Sequence, residues 1–261
     1  MQFISSPQNG HIKELKTFQE KAKKRKQEQV FCIEGEKELR HALAGGFQLK
    51  TVFVKEGNST IVNDDVFADC ECIEVNAALF ETLCYRKNTS TLIGVAHMKE
   101  HQLDQLELPE KNAFVLIAEA PEKPGNIGAL LRTADAIGVD AMLLVNPRTD
   151  LYNPNVVRSS VGCLFNVPIG IATIAETISF LEQKEITTFS AALSEEAKIY
   201  TTQDFTGNTA IAVGTEDIGL STDWLAQKTT QIYIPMAGQN DSLNVSVAAG
   251  ILLAEARRQR N

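Results

Sequence analysis

The second half of the chain alternates near-continuous apolar runs with stretches that have helical spacing. Apolar runs without intervening polar residues are typical of strands buried on both faces of a parallel sheet. Their alternation with helices predicts an α/β layered domain. The predicted strands are Ala113–Ala118, Ala141–Val145, Thr187–Ala192, Ala210–Val213 and Gln231–Met236, and the predicted helices are Ile127–Ile137, Ile174–Gln183 and a short helix near Asp223.

The first hundred residues show shorter runs with the same alternation, which predicts a small α/β domain. A polar, acidic segment that contains a proline, residues 99–112, follows these runs. Such segments are typical of domain boundaries. We therefore predict one domain over residues 1–100 and a second over residues 113–261. The strands of the first domain are predicted to begin at Val30, Leu49, Glu71 and Thr91.

The helix predicted at Ile127–Ile137 has one apolar stripe and one polar face. Asn126 can cap its start, and Gly138 can end it in a left-handed turn. Arg132 lies off the stripe, so we expect it to point into a cleft beside the carboxyl edge of the sheet. The stripe consists of Ile127, Leu130, Leu131, Ala134 and Ile137.

Three polar segments follow apolar strands in this half of the chain: residues 124–138, 213–221 and 237–241. A helix follows the last of them, and either Ser242 or Asn244 can cap it through a side-chain oxygen. The start of this helix is apolar on nearly every face, which is typical of a buried helix. It is also consistent with coverage by a second copy of the chain.

The composition is that of a soluble globular protein, with 44% hydrophobic and 22% charged residues in 261. No apolar run is long enough to span a membrane, and the first residues lack a signal-peptide pattern, so a cytoplasmic location is expected. Five cysteines form no C-x-x-C pair, so free thiols are expected. His97 and His101 lack further ligands at a familiar spacing, so no metal site is expected.

The three polar segments contain ordered motifs that resemble those of the SpoU/TrmH family, the RNA ribose 2'-O-methyltransferases of the SPOUT superfamily. The resemblance spans residues 113–260. The first motif, N-x-G-x-x-x-R-T, is matched by Asn126, Gly128, Arg132 and Thr133; the second, G-x-E-x-x-G-L, by Gly214, Glu216, Gly219 and Leu220; and the third by Ile234, Pro235, Met236 and Ser242–Ser246.

The resemblance implies a C-terminal SPOUT domain that has a parallel sheet and a deep trefoil knot, which chains otherwise avoid. The domain over residues 1–100 resembles the N-terminal RNA-binding domain that many members carry. The family resemblance also implies a homodimer in which the active site is completed across the two subunits. A nucleotide-dependent oxidoreductase is the more distant alternative, because no G-x-G-x-x-G follows the first strand of the second domain.

The implied cofactor is S-adenosylmethionine, held in the knot by the second and third motifs. The implied cofactor-binding residues are Gly214, Glu216, Gly219, Ile234, Pro235, Met236, Ala237 and Leu243. The implied catalytic residues are Asn126, Arg132, Glu216, Ser242 and Asn244. Family patterns often assign the arginine as the base. A guanidinium stays protonated, so we expect Arg132 instead to hold the RNA phosphate and the developing alkoxide.

The charge distribution places the expected RNA contacts in the first domain. The net charge is −8, yet residues 1–50 hold ten Lys and Arg against six Asp and Glu. Arg158 and Ser160 match a further family segment and are also expected to face RNA. The basic residues expected to bind the RNA backbone are Lys23, Lys24, Arg25 and Lys26.

The additional N-terminal domain favours ribosomal RNA over transfer RNA as the substrate. Asp217 departs from the second motif, which commonly has a small residue after its glutamate, and this leaves the identity of the RNA open. The alternative function within the same fold is a non-catalytic RNA-binding protein of ribosome assembly. Binding of S-adenosylmethionine separates the two hypotheses.

Overall fold

Helices and strands alternate along the chain in the computed structural model, which describes residues 1–85, 90–215, 217–239 and 242–260. In the first hundred residues the elements are β1 (Gln2–Ile4), α1 (Gly10–Glu20), α2 (Ala22–Glu28), β2 (Val30–Glu34), α3 (Glu36–Ala44), β3 (Leu49–Lys55), β4 (Glu71–Val75), α4 (Ala77–Glu81) and β5 (Leu92–His97). Beyond them lie β6 (Phe114–Glu119), α5 (Pro124–Ile137), β7 (Ala141–Val145), α6 (Pro154–Ser159), β8 (Ile169–Ala172), α7 (Ile174–Gln183), β9 (Thr187–Ala191), β10 (Lys198–Ile199), β11 (Thr209–Val213), α8 (Thr222–Leu225), β12 (Thr230–Tyr233) and α9 (Val245–Arg260).

These elements form two compact units that are not continuous in sequence. The first unit contains residues 1–100 and 150–166, and the second contains residues 101–149 and 167–261. The segment 150–166, which includes α6, therefore packs with the first unit although it lies far along the chain. In the described part of the chain, no helix combines the length and apolar character needed to cross a bilayer.

A mixed five-stranded sheet of order β1-β4-β3-β5-β2 forms the centre of the first unit. β4 runs parallel to β1 and β3, whereas β5 runs antiparallel to β2 and β3. Helix α1 packs on β2 and buries Ile12, Leu15 and Phe18. These three positions have the spacing of one helix face, so their burial follows directly from the sequence pattern.

Arg25 is a structural residue of the first unit, which corrects its assignment to the RNA surface. Its side chain is only 2% exposed, and its Nη2 lies 2.8 Å from Oδ2 of Asp150, whose side chain is 11% exposed. Its Nη1 also donates to the Phe18 carbonyl at 2.8 Å. The basic run is helical over α2, and one position of this short helix must face inward. The prediction failed because charge alone does not show which position is buried.

Replacing Arg25 with Ala is expected to lower the free energy of unfolding of the first unit by about 3–5 kcal/mol, because Asp150 is left as a buried, unpaired charge. Lys24→Ala is the matched control, since Lys24 forms a partly exposed pair with Glu28 at 3.6 Å that contributes at most about 1 kcal/mol. Equal losses in the two variants would contradict this account of Arg25.

Urea unfolding followed by circular dichroism measures this difference. The single tryptophan of the chain, Trp224, lies in the second unit. Its fluorescence therefore follows the unfolding of the second unit separately from the unfolding of the first. Arg25→Ala should therefore lower the urea midpoint followed by circular dichroism more than the urea midpoint followed by Trp224 fluorescence.

All five cysteines are free thiols, as the sequence predicts. Burial raises the pKa of the Cys32 thiol to about 12, although the charge of Arg25 lowers it in part. Burial likewise raises the pKa of Cys70 and of Cys84 to about 12. These three thiols therefore remain protonated at neutral pH and are poor nucleophiles.

The second unit contains a parallel seven-stranded sheet of order β10-β12-β9-β11-β6-β7-β8. Every neighbouring pair runs parallel, which confirms the α/β class predicted from the apolar runs. β6, β7 and β11 are buried at every position. The sequence missed β8, because Pro168 and Gly170 interrupt its apolar pattern.

Helices α5 and α9 pack against each other on this sheet. α5 buries four of the five residues of its predicted stripe: Ile127, Leu130, Leu131 and Ala134. Gly138 ends it in a left-handed turn at φ 74°, as predicted. The N-cap prediction was wrong, because α5 begins at Pro124 with Lys123 as its cap. Asn126 is therefore inside the first turn, where its side chain remains available for tertiary contacts.

Candidate active site

The loops after β9, β11 and β12 meet at the carboxyl edge of the sheet in the second unit. In parallel sheets this edge is where ligands bind, because the strands end there together and their loops converge. A cavity of about 380 Å³ lies among the loop after β11, the loop after β12 and the first turns of α9. Six residues predicted for the site line it: Gly214, Gly219, Ile234, Met236, Ser242 and Leu243.

Two further predicted residues, Pro235 and Ala237, lie in the loop after β12 and are exposed, but they do not line the cavity. Glu216 lies outside the described residues. Sequence reasoning missed much of the apolar wall. Its signal was present in the apolar runs of β9, β11 and β12 and in the apolar start of α9. The additional apolar residues are Ala191, Ala192, Leu193, Val213, Ile218, Leu220, Leu225, Ile232, Tyr233, Val245, Ala248 and Leu252.

The loop after β11 closes on itself through two backbone hydrogen bonds. The Thr215 N–H donates to the Gly219 carbonyl at 2.9 Å, and the Gly219 N–H donates to the Thr215 carbonyl at 3.1 Å. Gly219 has φ 68°, a conformation that favours glycine. A Cβ at Gly214 would come within 2.0–2.2 Å of backbone atoms of Gly219 and Leu220. Both glycines are thus required by the shape of this loop.

Asn126 and Asn244, far apart in sequence, form a direct contact beside the cavity. The Asn244 Nδ2 donates to the Asn126 Oδ1 at 3.2 Å. The Asn244 Oδ1 accepts from the Ser246 N–H at 3.0 Å and from the Ser246 hydroxyl at 2.6 Å. Asn244 therefore caps α9, as the sequence predicts, and this cap fixes the orientation of its amide toward Asn126. The structure thus joins residues of the first and third motifs.

A buried polar network supports the loops from below. Glu119, only 3% exposed at the end of β6, accepts hydrogen bonds from the Ser221 N–H at 2.8 Å and from the Ser221 hydroxyl. The same hydroxyl accepts from the Trp224 N–H at 3.2 Å. The Trp224 indole donates to the Ser190 hydroxyl at 2.9 Å, and Ser190 donates to Thr229 at 2.8 Å.

This network connects β6, the end of the β11 loop, β9 and the residue before β12 through consecutive hydrogen bonds. Glu119, Ser190 and Trp224 are fully or almost fully buried. A satisfied buried network fixes the elements it joins, because breaking any bond leaves a polar group without a partner. The sequence analysis did not identify Glu119 as a site residue. An acidic residue at the end of a continuous apolar strand was the available signal.

Arg132 does not belong to this cluster within one chain. Its side chain is exposed on α5, and within the described part of the chain it makes no hydrogen bond or ion pair. Asp217 is also exposed and borders the cavity. In the residues that the structure describes, no group of His, Cys, Asp and Glu side chains could hold a metal ion.

Two family models match the chain on either side of its acidic segment. The model described as the SpoU rRNA methylase family matches residues 113–254. The chain belongs to the SpoU rRNA methylase family. The SpoU match contains all three motif segments and confirms the resemblance found in the sequence. A second model, described as an MRM3-like substrate binding domain, matches residues 9–94.

Relatives of this SpoU chain include a full-length match. RlmP of Bacillus subtilis, a 23S rRNA (guanosine(2553)-2'-O)-methyltransferase, is 30% identical over 260 residues, which cover 98% of this chain and 100% of the relative. The crystal structure of an AdoMet-bound rRNA methyltransferase from Sinorhizobium meliloti has a TM-score of 0.90 at 28% identity, and the match covers 98% and 97% of the two chains. The tRNA (guanosine(18)-2'-O)-methyltransferase of Thermus thermophilus is 38% identical over 148 residues, 56% of this chain and 75% of the relative.

The residues expected to face RNA all lie in the first unit of this SpoU protein, and they differ in exposure. Lys23 and Lys26 are exposed, and Lys24 is half-buried. Arg158, on α6, is half-buried. Ser160 is fully buried, and its hydroxyl donates to the Val157 carbonyl at 2.8 Å. The expectation that Ser160 faces RNA is therefore wrong, because its hydroxyl closes the end of α6.

Replacing Glu119 with Gln is expected to weaken S-adenosylmethionine binding and to lower the free energy of unfolding of the second unit by about 1–3 kcal/mol. The carboxylate presents an acceptor oxygen to each of the two Ser221 donors, whereas an amide presents one oxygen and one NH2 group, so one of these donors loses its acceptor. Calorimetric titration measures the affinity, and Trp224 fluorescence measures the unfolding. Unchanged affinity together with unchanged stability would show that the network does not support the cavity.

Glu122→Gln is the matched control for this prediction. Glu122 lies in the loop that follows β6, three residues after Glu119, but its side chain is 43% exposed and forms a surface pair with Arg148. Exposed pairs contribute at most about 1 kcal/mol. The control should therefore retain the stability of the second unit.

Proposed function

We propose that this SpoU protein transfers a methyl group from S-adenosylmethionine to a ribose 2'-hydroxyl of ribosomal RNA. The observation that carries the proposal is the convergence of the second and third motif loops around one cavity, beside the contact between Asn126 and Asn244. The cavity has apolar walls, a few polar groups and a volume typical of small-molecule sites. These features fit a bent sulfonium ligand that carries an adenosine.

S-Adenosylmethionine supplies a methyl group on a sulfonium, which is already a strong electrophile. The protein therefore has to orient the ribose hydroxyl in line with that carbon and accommodate the departing proton. We infer that Asn126, Ser242 and Asn244 complete the acceptor site. The cofactor would be held by Gly214, Glu216, Gly219, Ile234, Pro235, Met236, Ala237 and Leu243.

Arg132 would bind the RNA phosphate and stabilise the developing alkoxide, while phosphate or water receives the proton. A guanidinium suits this role because it stays charged and donates two parallel hydrogen bonds to an anion. Its exposure on α5 supports a role toward a partner molecule rather than toward the cavity of its own chain.

A homodimer is part of the proposal, with Arg132 of one subunit completing the site of the other. We further propose that the chain between β12 and α9 threads through the preceding loops as a deep trefoil knot. The packing of α9 on both α5 and β11 supports this arrangement, since it returns the last segment to the middle of the sheet. The TM-score of 0.90 to a bacterial rRNA methyltransferase supports it as well.

Ribosomal RNA is proposed as the substrate because two relatives that match both halves of the chain, RlmP of Bacillus subtilis and the enzyme from Sinorhizobium meliloti, are named rRNA methyltransferases. RlmP of Bacillus subtilis matches from end to end, whereas the tRNA enzyme of Thermus thermophilus matches only 56% of this chain. The additional N-terminal domain, which matches an MRM3-like substrate binding domain over residues 9–94, also favours ribosomal RNA. We propose the cytoplasm as the location of this reaction.

Mapping of 2'-O-methyl groups on total RNA from cells with and without this protein tests the proposal. We expect one ribosomal RNA position to lose its methyl group in cells without the protein. Transfer of labelled methyl from S-adenosylmethionine to the unmethylated ribosomal RNA by the purified protein should restore it. A folded protein that binds no S-adenosylmethionine would instead favour the non-catalytic assembly function.

A further inference from the structure

An exposed aromatic ring in the first unit is supported on one face by a guanidinium. The Tyr85 side chain is 64% exposed, and the central carbon of the Arg158 guanidinium lies 4.0 Å from the centre of its ring. A cation at this distance is attracted by the face of the ring and holds it in place. The exposed surface of Tyr85 therefore includes the opposite face of the ring.

Both partners are held by further contacts. The Tyr85 N–H donates to the Glu34 Oε2 at 2.8 Å, and the Ser90 hydroxyl donates to the Glu34 Oε1 at 2.9 Å. The Arg158 Nη2 donates to the Asn155 Oδ1 at 3.1 Å. Neither Tyr85 nor Arg158 thus depends on the other alone for its position.

Arg158 retains a donor that the described residues do not use. Its Nε is buried and makes no hydrogen bond with any described residue. A buried donor without a partner is costly in a folded protein and calls for a specific explanation. Its burial also shields this nitrogen from a ligand, so the exposed ring of Tyr85 and the guanidinium stacked against it carry the inference.

Tyr85 and Arg158 both line a cavity of about 910 Å³ that lies wholly within the first unit. This volume is sufficient for a nucleotide. Four carboxylates also line the cavity and disfavour a phosphate there, whereas carboxylate oxygens accept hydrogen bonds from the amino groups of bases. These carboxylates belong to Glu20, Glu34, Glu36 and Glu38.

We propose that Tyr85 and Arg158 form a stacking platform for one unpaired nucleobase of the RNA substrate. Sequence-reading RNA-binding domains commonly stack unpaired bases on aromatic side chains and on guanidinium planes. The platform rests on the proposed function, because it names a subsite for the RNA that the second unit methylates. It identifies a single-stranded part of the substrate, since a paired base would first have to break its pairing and stacking, at a cost in free energy, to reach Tyr85.

Fluorescence anisotropy with a short, labelled, single-stranded RNA tests the platform. Tyr85→Ala should weaken binding by on the order of 10-fold, which is typical for the loss of one stacked base. Tyr85→Phe keeps the ring and should bind within about twofold of the wild type. A labelled RNA duplex should bind the wild type and Tyr85→Ala equally. Circular dichroism confirms that the variants are folded.

Phe3→Ala is the matched control, because Phe3 is an exposed aromatic residue of the same unit, 49% exposed on β1. Equal weakening by Phe3→Ala and Tyr85→Ala would overturn the platform, and so would wild-type affinity of Tyr85→Ala for the single strand. If the wild type methylates ribosomal RNA and Tyr85→Ala has the same KM for RNA, the platform is overturned and the proposed function stands. A wild type that binds neither RNA nor S-adenosylmethionine would overturn both.

Discussion

Arg132→Ala is expected to reduce methyl transfer to RNA by about 100- to 1,000-fold, which is typical for the loss of one donor aimed at developing charge. S-Adenosylmethionine should still bind with wild-type affinity, because Arg132 is exposed and does not line the cavity. Arg132→Lys should also lose most of the activity, because an ammonium keeps the charge without the planar fork. Single-turnover rates at saturating RNA measure the effect.

Arg258→Ala provides the control for charge removal. Arg258 is 71% exposed on α9 and, among the residues that the structure describes, pairs only with Glu255 of the same helix. Its loss should leave the rate nearly unchanged. Near-normal activity of Arg132→Lys would contradict two-pronged orientation and would indicate that positive charge alone is sufficient.

A mixture of two impaired variants tests whether Arg132 acts across a dimer. Arg132→Ala keeps an intact cavity, and Gly214→Ala keeps an intact Arg132 but is slow at an S-adenosylmethionine concentration that does not saturate it. If each site takes its cavity from one subunit and its arginine from the other, mixed dimers contain one complete site and the rate at that concentration rises on mixing. If Arg132 serves the cavity of its own chain, the mixture stays as slow as the separate variants.

Gly214→Ala is expected to weaken S-adenosylmethionine binding by about 10- to 100-fold. The new Cβ would lie 2.0–2.2 Å from backbone atoms of Gly219 and Leu220. Backbone cannot rotate away as a flexible side chain can, so the loop after β11 has to open. Overpacking of this kind typically costs about 1–3 kcal/mol, which corresponds to the stated loss of affinity.

Gly125→Ala is the control for the added methyl group. A Cβ at Gly125 meets no atom within 4 Å, and alanine is favourable within α5. This variant should keep its cofactor affinity and its stability. Calorimetric titration of both variants measures the difference. Wild-type affinity in Gly214→Ala would show that the loop can open without affecting the cavity.

The fold class could be predicted from the chain because its strands are buried on both faces. Burial of this kind leaves uninterrupted apolar runs, and β6, β7 and β11 were found on that basis. β8 was missed because a proline and a glycine break its run. The cap of α9 could be narrowed to Ser242 or Asn244 from the sequence, and the structure assigns it to Asn244, which accepts from the Ser246 N–H.

Individual positions within charged or polar stretches could not be assigned from sequence. Lys23, Lys24, Arg25 and Lys26 have nearly the same chemistry in the sequence, yet Arg25 alone is buried against Asp150. The partner lies 125 positions away, in a segment that local patterns assign to the other domain. Ser160 was misassigned for a similar reason, because its burial depends on how α6 packs.

By itself, the sequence determined the alternation of strands and helices, the order of three motifs and the family to which the chain belongs. Those properties are local, since periodicity and motif spacing are set by neighbours along the chain. Only the tertiary structure decided that segment 150–166 joins the first unit, that Glu119 anchors Ser221, and that Arg158 supports Tyr85. These contacts join positions far apart in sequence, and the packing of whole elements determines which side chains meet.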